Sequence, residues 1–216
     1  NMNRQPVFII SAPRSGSSLL SYMLSELGIF TGKCKKADKW NVNGYFENIK
    51  ITDEVVKYLK KNDEYNLGKK FQPKELKYID ISFKEKVNDI LLKEGIGENK
   101  YWLYKNPKTA ICWRQFHANF PNAKWIVLTR NKEEHLASLL RTQFMDAYDT
   151  EEEWNSFIKR YDNYFNNINN HCDSLFVNMS EIFQGNKIIN QVSKFLKIPK
   201  KDVSYCIDKK KWNEEK

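Results

Sequence analysis

Apolar residues along this chain come in short runs of about five, each followed by a turn and then by a stretch in which they recur every three or four positions. Pro6-Val7-Phe8-Ile9-Ile10 is the first such run and reads as a buried strand. After Gly16, the residues Leu19, Leu20, Met23, Leu24 and Leu27 fall on one helical stripe, and Gly28 stands where a helix end favours glycine. Ser82-x-x-Glu85 has the form of a capping box and predicts a helix carrying Val87, Ile90 and Leu91 up to Gly95. Tyr101–Tyr104 and Trp125–Thr129, rich in aromatic and β-branched residues, predict two further strands. Asn131-x-x-Glu134 then predicts a helix to about Thr142. Thr150-x-x-Glu153 is a second capping box, and its helix buries Trp154, Phe157, Tyr161, Phe165 and Ile168. Ser174–Val177 is a fourth strand, followed by a helix holding Ile188, Ile189, Val192, Phe195 and Leu196, with Pro199 beyond its end. Strands alternating with helices predict an α/β fold in three layers, a central parallel sheet flanked by helices on both faces. No period of 20–50 residues repeats and no Gly/Ser- or Pro-rich linker divides the chain, so a single domain over residues 1–216 is expected. The stretch 31–78 fits least well: polar, dotted with aromatics and loop-like, it reads as an insert on the substrate side.

Charge narrows the partners less than it first suggests. Lys and Arg number 36 against 27 Asp and Glu, a net +9 that favours anionic partners. The same excess follows from a chain crowded with Lys, Asn and Ile. No helix gathers a basic face and no aromatic RNP-like strand occurs, so a nucleic-acid module is not expected. With a mean hydropathy of −0.70 and no run near the roughly 20 apolar residues a span needs, no membrane helix is expected. Cys34, Cys112, Cys172 and Cys206 lie far apart with no CxxC pair, which argues against a zinc site or a dense disulfide framework and towards the cytoplasm.

The chemistry concentrates after the first strand. Strand, then Ser11-Ala-Pro-Arg-Ser-Gly-Ser-Ser18, then helix is the layout of a phosphate-binding loop, which makes the expected fold P-loop-NTPase-like. Gly16 lets the backbone approach an anion, Ser17 and Ser18 add hydroxyl donors, and the cation lies inside the loop as Arg14. The Walker pattern is broken: Ser11 stands at its first glycine and Ser17 at its lysine. A small-molecule kinase is therefore disfavoured, as it is by the lack of a magnesium-binding Asp at a strand end.

Pro13-Arg-Ser-Gly-Ser-Ser18 resembles the 5′-phosphosulfate loop of sulfotransferases, and the chain is identified with the bacterial-type branch of that family. Ile126-Val-Leu-Thr-Arg130 with Ser138 eight residues on resembles the family's second signature, whose Arg and Ser grip the 3′-phosphate. Gly44-Tyr-Phe-Glu47 is similar to an element whose Glu is the proposed base, and Tyr104-Lys-Asn-Pro-Lys108 to the family's K-[DN]-P-[RK] segment. Phe176-Val-Asn-Met-Ser180 with Phe195-Leu-Lys197 resembles a late family region, with Asn178 and Ser180 departing from it. Leu19 and Pro107 stand where the animal cytosolic branch has an adenine-stacking aromatic and a catalytic His.

The resemblance implies a transferase that moves a sulfuryl group from 3′-phosphoadenylyl sulfate (PAPS) to an acceptor hydroxyl or amine, releasing adenosine 3′,5′-bisphosphate (PAP). Arg14, Ser15, Gly16, Ser17, Ser18, Arg130 and Ser138 would bind the donor. Glu47 would act as base, while Arg14 and Lys105 would neutralise the developing charge. No metal is expected, since Arg and Lys supply the positive charge. The acceptor is expected to be a small molecule or saccharide. Trp40, Tyr45, Phe46 and Trp113 would either line its pocket or belong to the core. His117, His135 and His171 read as structural or solvated, and Lys209–Lys211 as a solvated tail rather than a cover for the 3′-phosphate.

Overall fold

The computed structural model describes residues 4–38, 41, 43–62, 76, 78–141 and 148–207. Trp40 and Lys209–Lys211 lie outside the described residues. Four parallel strands form one sheet in the order β2-β1-β3-β4: β1 (Gln5–Ile10), β2 (Tyr101–Lys105), β3 (Lys124–Thr129) and β4 (Asp173–Asn178). Seven α-helices accompany them among the described residues: α1 (Ser17–Glu26), α2 (Ile49–Lys61), α3 (Phe83–Lys93), α4 (Trp113–Asn119), α5 (Lys132–Arg141), α6 (Glu151–His171) and α7 (Lys187–Leu196). None of them is long and apolar enough to cross a membrane.

Both faces of the sheet are buried because successive strand residues point to opposite sides. Phe8, Ile10, Trp102, Tyr104, Trp125 and Val127 face one core with α2, α3, α4 and α6. Val7, Ile9, Leu103, Ile126, Leu128 and Val177 face the other, with α1 and α7. Phe8 is the hub of the first core. Its ring meets Trp102, Phe116, Phe120 and Trp125 edge-on, with centroids 5.0–5.8 Å apart.

The order of the strands determines where a site can form. From β1 the chain goes outward to β2, then crosses back past β1 to β3 and onward to β4. The connections after β1 and β3 therefore leave in opposite directions, and a crevice opens at the carboxyl ends of these two neighbours. The segments entering it are those that carry Arg14 and Arg130.

Two expectations about helices change. The stretch 31–78 is not loop throughout: it contains α2, whose buried Ile51, Val55, Tyr58 and Leu59 fall at helical spacing. Asn48 caps that helix, its Oδ1 accepting from Ile51 N at 3.0 Å. The stripe is obscured in the sequence by the charged residues between its members. The Thr150–Glu153 capping box forms as expected. Ser82, in contrast, makes no side-chain cap on α3; its hydroxyl donates to Asp80 at 2.6 Å. The Lys84 amide of α3 is satisfied instead by Asn119 Oδ1 of α4, at 3.0 Å, so a tertiary partner replaces the local cap.

Phe8→Ala should lower the unfolding free energy by about 3–5 kcal/mol in chemical denaturation, the range for truncating a fully buried aromatic. A loss below about 1 kcal/mol would contradict the hub role.

Candidate functional site

The loop between β1 and α1 is built from strained backbone. Arg14 adopts φ 63°, a left-handed conformation that non-glycine residues rarely take, and Gly16 caps α1 with φ 83°. Ser17 and Ser18 open α1, whose first turn contains no acidic side chain. The partial positive charge of the helix N-terminus is thus unopposed within that turn.

One polar network joins this loop to β2 and to the segment before α2. Lys33–Lys35 and Glu47–Ile49 pair as a short irregular ladder, with Lys35 N donating to Glu47 O at 2.9 Å and Ile49 N to Lys33 O at 3.0 Å. The turn between them uses Gly44 (φ 89°) and a strained Phe46 (φ 55°), whose ring stacks on Tyr22 of α1. Glu47 is thereby carried to Lys105 at the end of β2, with Nζ 3.2 Å from Oε1. Asn106 Nδ2 donates to the other oxygen, Oε2, at 3.3 Å. Lys105 also donates to Ser18 Oγ at 3.1 Å, and Asn41 Nδ2 donates to the same atom at 2.7 Å. Burial pushes the Lys105 ammonium below its ordinary pKa, and Glu47 pulls it back up. A buried ion pair is tolerated when further hydrogen bonds satisfy its members, and Asn106 and Ser18 provide them.

A second network ties the loop to the segment after β3. Arg130 donates from NH1 to the Arg14 carbonyl at 3.1 Å, and its Nε lies 3.5 Å from Glu134 Oε2. Ser180, beyond the end of β4, accepts from Asn131 N at 3.0 Å and donates to Glu134 at 3.2 Å, so β4 helps fix the start of α5. His135 Nε2 lies 2.7 Å from the Pro13 carbonyl and 3.5 Å from Ser15 Oγ. A carbonyl can only accept, so Nε2 carries the proton. Ser138 shares the buried face of α5 with His135.

The structure therefore joins Glu47 and Ser18 through Lys105, and brings Arg130 from the end of β3 onto the loop that carries Arg14 and Ser15. Of the aromatic residues weighed for an acceptor pocket, Tyr45 stays close by, its hydroxyl bonded to Asp38 and its ring under Lys35. Trp113 is core: buried at the start of α4, it stacks on His171. The sequence assigns no role to Asn41 or Asn106, and His135 reads there as structural or solvated. Asn106 lay within a segment already singled out, whereas the partners of Asn41 and His135 are visible only in three dimensions. Among the described residues, no three His, Cys, Asp or Glu gather in a way that could hold a metal ion.

A helix N-terminus and loop at a strand switch point, with cations converging from neighbouring strand ends, define an α/β protein of the P-loop-like class. The comparisons give the family. The family model described as "Sulfotransferase family" matches residues 6–185, and the chain belongs to that family. No curated protein matches. Among solved structures, the chain is similar to the sulfotransferase domain from the curacin biosynthetic pathway, with 16% identity, TM-score 0.61, and 93% of this chain and 76% of that one covered. The sulfotransferase domain of the Synechococcus PCC 7002 olefin synthase gives 18% identity and TM-score 0.58 over the same shares. The sulfotransferase STF1 of Mycobacterium tuberculosis H37Rv gives 11% and 0.52, with 94% and 70% covered. These likenesses establish the shared fold.

Burial, opposed by the bond to Pro13 and reinforced by Arg130 and Arg14, pushes the His135 pKa down to about 4. An unfolded His titrates near 6.5, so between these values the unfolded state binds the extra proton. The associated stability is complete above about pH 6.5 and is lost as pH falls towards 4, by up to about 3 kcal/mol. Urea unfolding at pH 7 and pH 4.5 should show this loss, and His135→Gln should shrink it.

Proposed function

We propose that this chain transfers a sulfuryl group from PAPS to a hydroxyl, or an amine, of a small-molecule or saccharide acceptor. The observation that carries the reading is the convergence, at the carboxyl edge of three adjacent parallel strands, of an anion-binding loop, Arg130 and the pair of a buried Lys105 with a half-buried Glu47. The residues fit such a donor. Backbone N–H groups of residues 15–18 and the N-terminus of α1 would receive the 5′-phosphosulfate. Ser18, whose oxygen already accepts from Lys105 and Asn41, has its own proton left to donate there. Arg130 and Ser138 would hold the 3′-phosphate, the planar guanidinium suiting forked bonds to phosphate oxygens.

When bound, PAPS would supply an activated sulfuryl group, whose S–O bond to the 5′-phosphate breaks as a new S–O bond to an acceptor hydroxyl, or an S–N bond to an amine, forms. Glu47 accepts the acceptor's proton, Lys105 and Asn106 holding the carboxylate in place. Lys105 lies between the base and the loop, where its charge offsets the negative charge growing on the leaving phosphate oxygen. Arg14 adds a second cation from within the loop. Tyr45 and Phe46 flank Glu47 in sequence and offer aromatic surface to an acceptor.

In a thermal-shift assay, PAP should stabilise the protein without magnesium, and more than ATP does. Arg130→Ala should remove that response; a retained response would refute the 3′-phosphate assignment. With PAPS and a panel of hydroxyl and amine acceptors read by mass spectrometry, Glu47→Gln should lower kcat by about 10²–10⁴ while PAP still binds. Activity near the parent level would take Glu47 out of the base role.

A further inference from the structure

Arg130 and His135, five residues apart, take hold of successive loop carbonyls: Arg130 that of Arg14, His135 that of Pro13. We infer that His135 is a positioning residue for the phosphosulfate loop, turning the loop's carbonyls back onto α5 so that its amides face the anion. This rests on the proposed donor reading and extends it to a residue that touches neither donor nor acceptor.

The peptide bonds of this loop are trans, and in a planar trans peptide the C=O and the following N–H point in opposite directions. A donor on the Pro13 oxygen therefore directs the Arg14 N–H away from α5, and a donor on the Arg14 oxygen does the same for the Ser15 N–H. Carbonyls turned towards a phosphosulfate would repel it, whereas successive amides turned towards it form an anion-binding concavity. The left-handed backbone of Arg14 between the two held carbonyls costs free energy and persists only when its surroundings impose it. His135 is suited to this task. It is buried, with 4% of its surface exposed, and its Nε2–H is committed to a carbonyl. Because it sits on the buried face that also carries Ser138, the same helix sets the loop for the 5′ end of the nucleotide and presents Ser138 for the 3′ end.

The test compares substitutions that keep or lose a donor at the reach of Nε2. The Gln amide nitrogen extends about as far, while that of Asn falls short. Affinities for PAP and for adenosine 3′-monophosphate are measured by calorimetry on the parent, His135→Gln, His135→Asn and His135→Ala. For PAP, the Asn and Ala variants should bind about tenfold more weakly, and the Gln variant within about threefold of the parent. For the 3′-monophosphate, which lacks the group the loop receives, all four should agree within about threefold. Equal losses for both ligands would mean a general loosening and overturn the inference, as would unchanged PAP binding in the Asn and Ala variants. If those two fail to fold, weak PAP binding by a folded Gln variant overturns it by itself. A parent protein that binds no PAP would refute the donor reading instead, a result distinct from any difference among the variants.

Discussion

Parallel pairing of β1 between β2 and β3 is the constraint on which the rest of this molecule depends. It buries β1 on both faces and both edges, and it aligns three strand ends along one side of the sheet. Three parts of the site start within a few residues of those ends: the loop from β1, Lys105 from β2, Arg130 from β3. Because the connections diverge at β1 and β3, no crossover covers the crevice between them. The aromatic packing around Phe8 keeps these strands at a fixed spacing beneath the site. Strand ends held by a close-packed core can place charged groups to within a fraction of an ångström, which free loops cannot do.

The polar groups at this edge are costly to bury and are held accordingly. Lys105 is nearly enclosed, and Glu47, Ser18 and Asn106 surround it without removing its charge from the site. The strained backbone at Arg14 lies within the β1–α1 loop, and that at Phe46 immediately precedes Glu47. Such strain is sustained by the bonds around it: Arg130 and His135 on one side, the ladder to Lys33–Lys35 and the Tyr22 stack on the other. Asn41 from the segment before α2 and Lys105 from the end of β2 both donate to Ser18, so two distant parts of the chain are joined to the start of α1 through a single hydroxyl.

Much of this was legible in the sequence, because the signals are local. Short runs rich in apolar, aromatic and β-branched residues marked all four strands, and helical spacing or capping marked α1, α3, α5, α6 and α7. The capping box at Thr150 depends only on residues three apart, and it formed as read. The phosphate-loop motif and the strand-Arg-helix motif each encode a backbone path and a side chain within about ten residues, so both could be found without knowing what lay opposite them. Helix α2 was missed because its narrow apolar stripe is set among charged residues, and a composition-based reading averages the stripe away. The Ser82 cap was misread because Asn119, a residue of another helix, supplies the bond that a local rule assigns to the serine.

By itself, then, the sequence determined the alternation of strands and helices, the three-layer class and the motifs that carry the family resemblance. Which of those residues meet was decided by tertiary structure. Glu47 and Lys105 are 58 positions apart, and His135 is 122 from Pro13. Contacts over such separations follow from strand order and from how helices pack on the sheet, which no local pattern records. The pairing of Glu47 with a buried ammonium, the double hold on Ser18 and the clamp on the loop carbonyls exist only once the sheet is assembled, since each depends on backbone groups or charges that water would satisfy in the open chain.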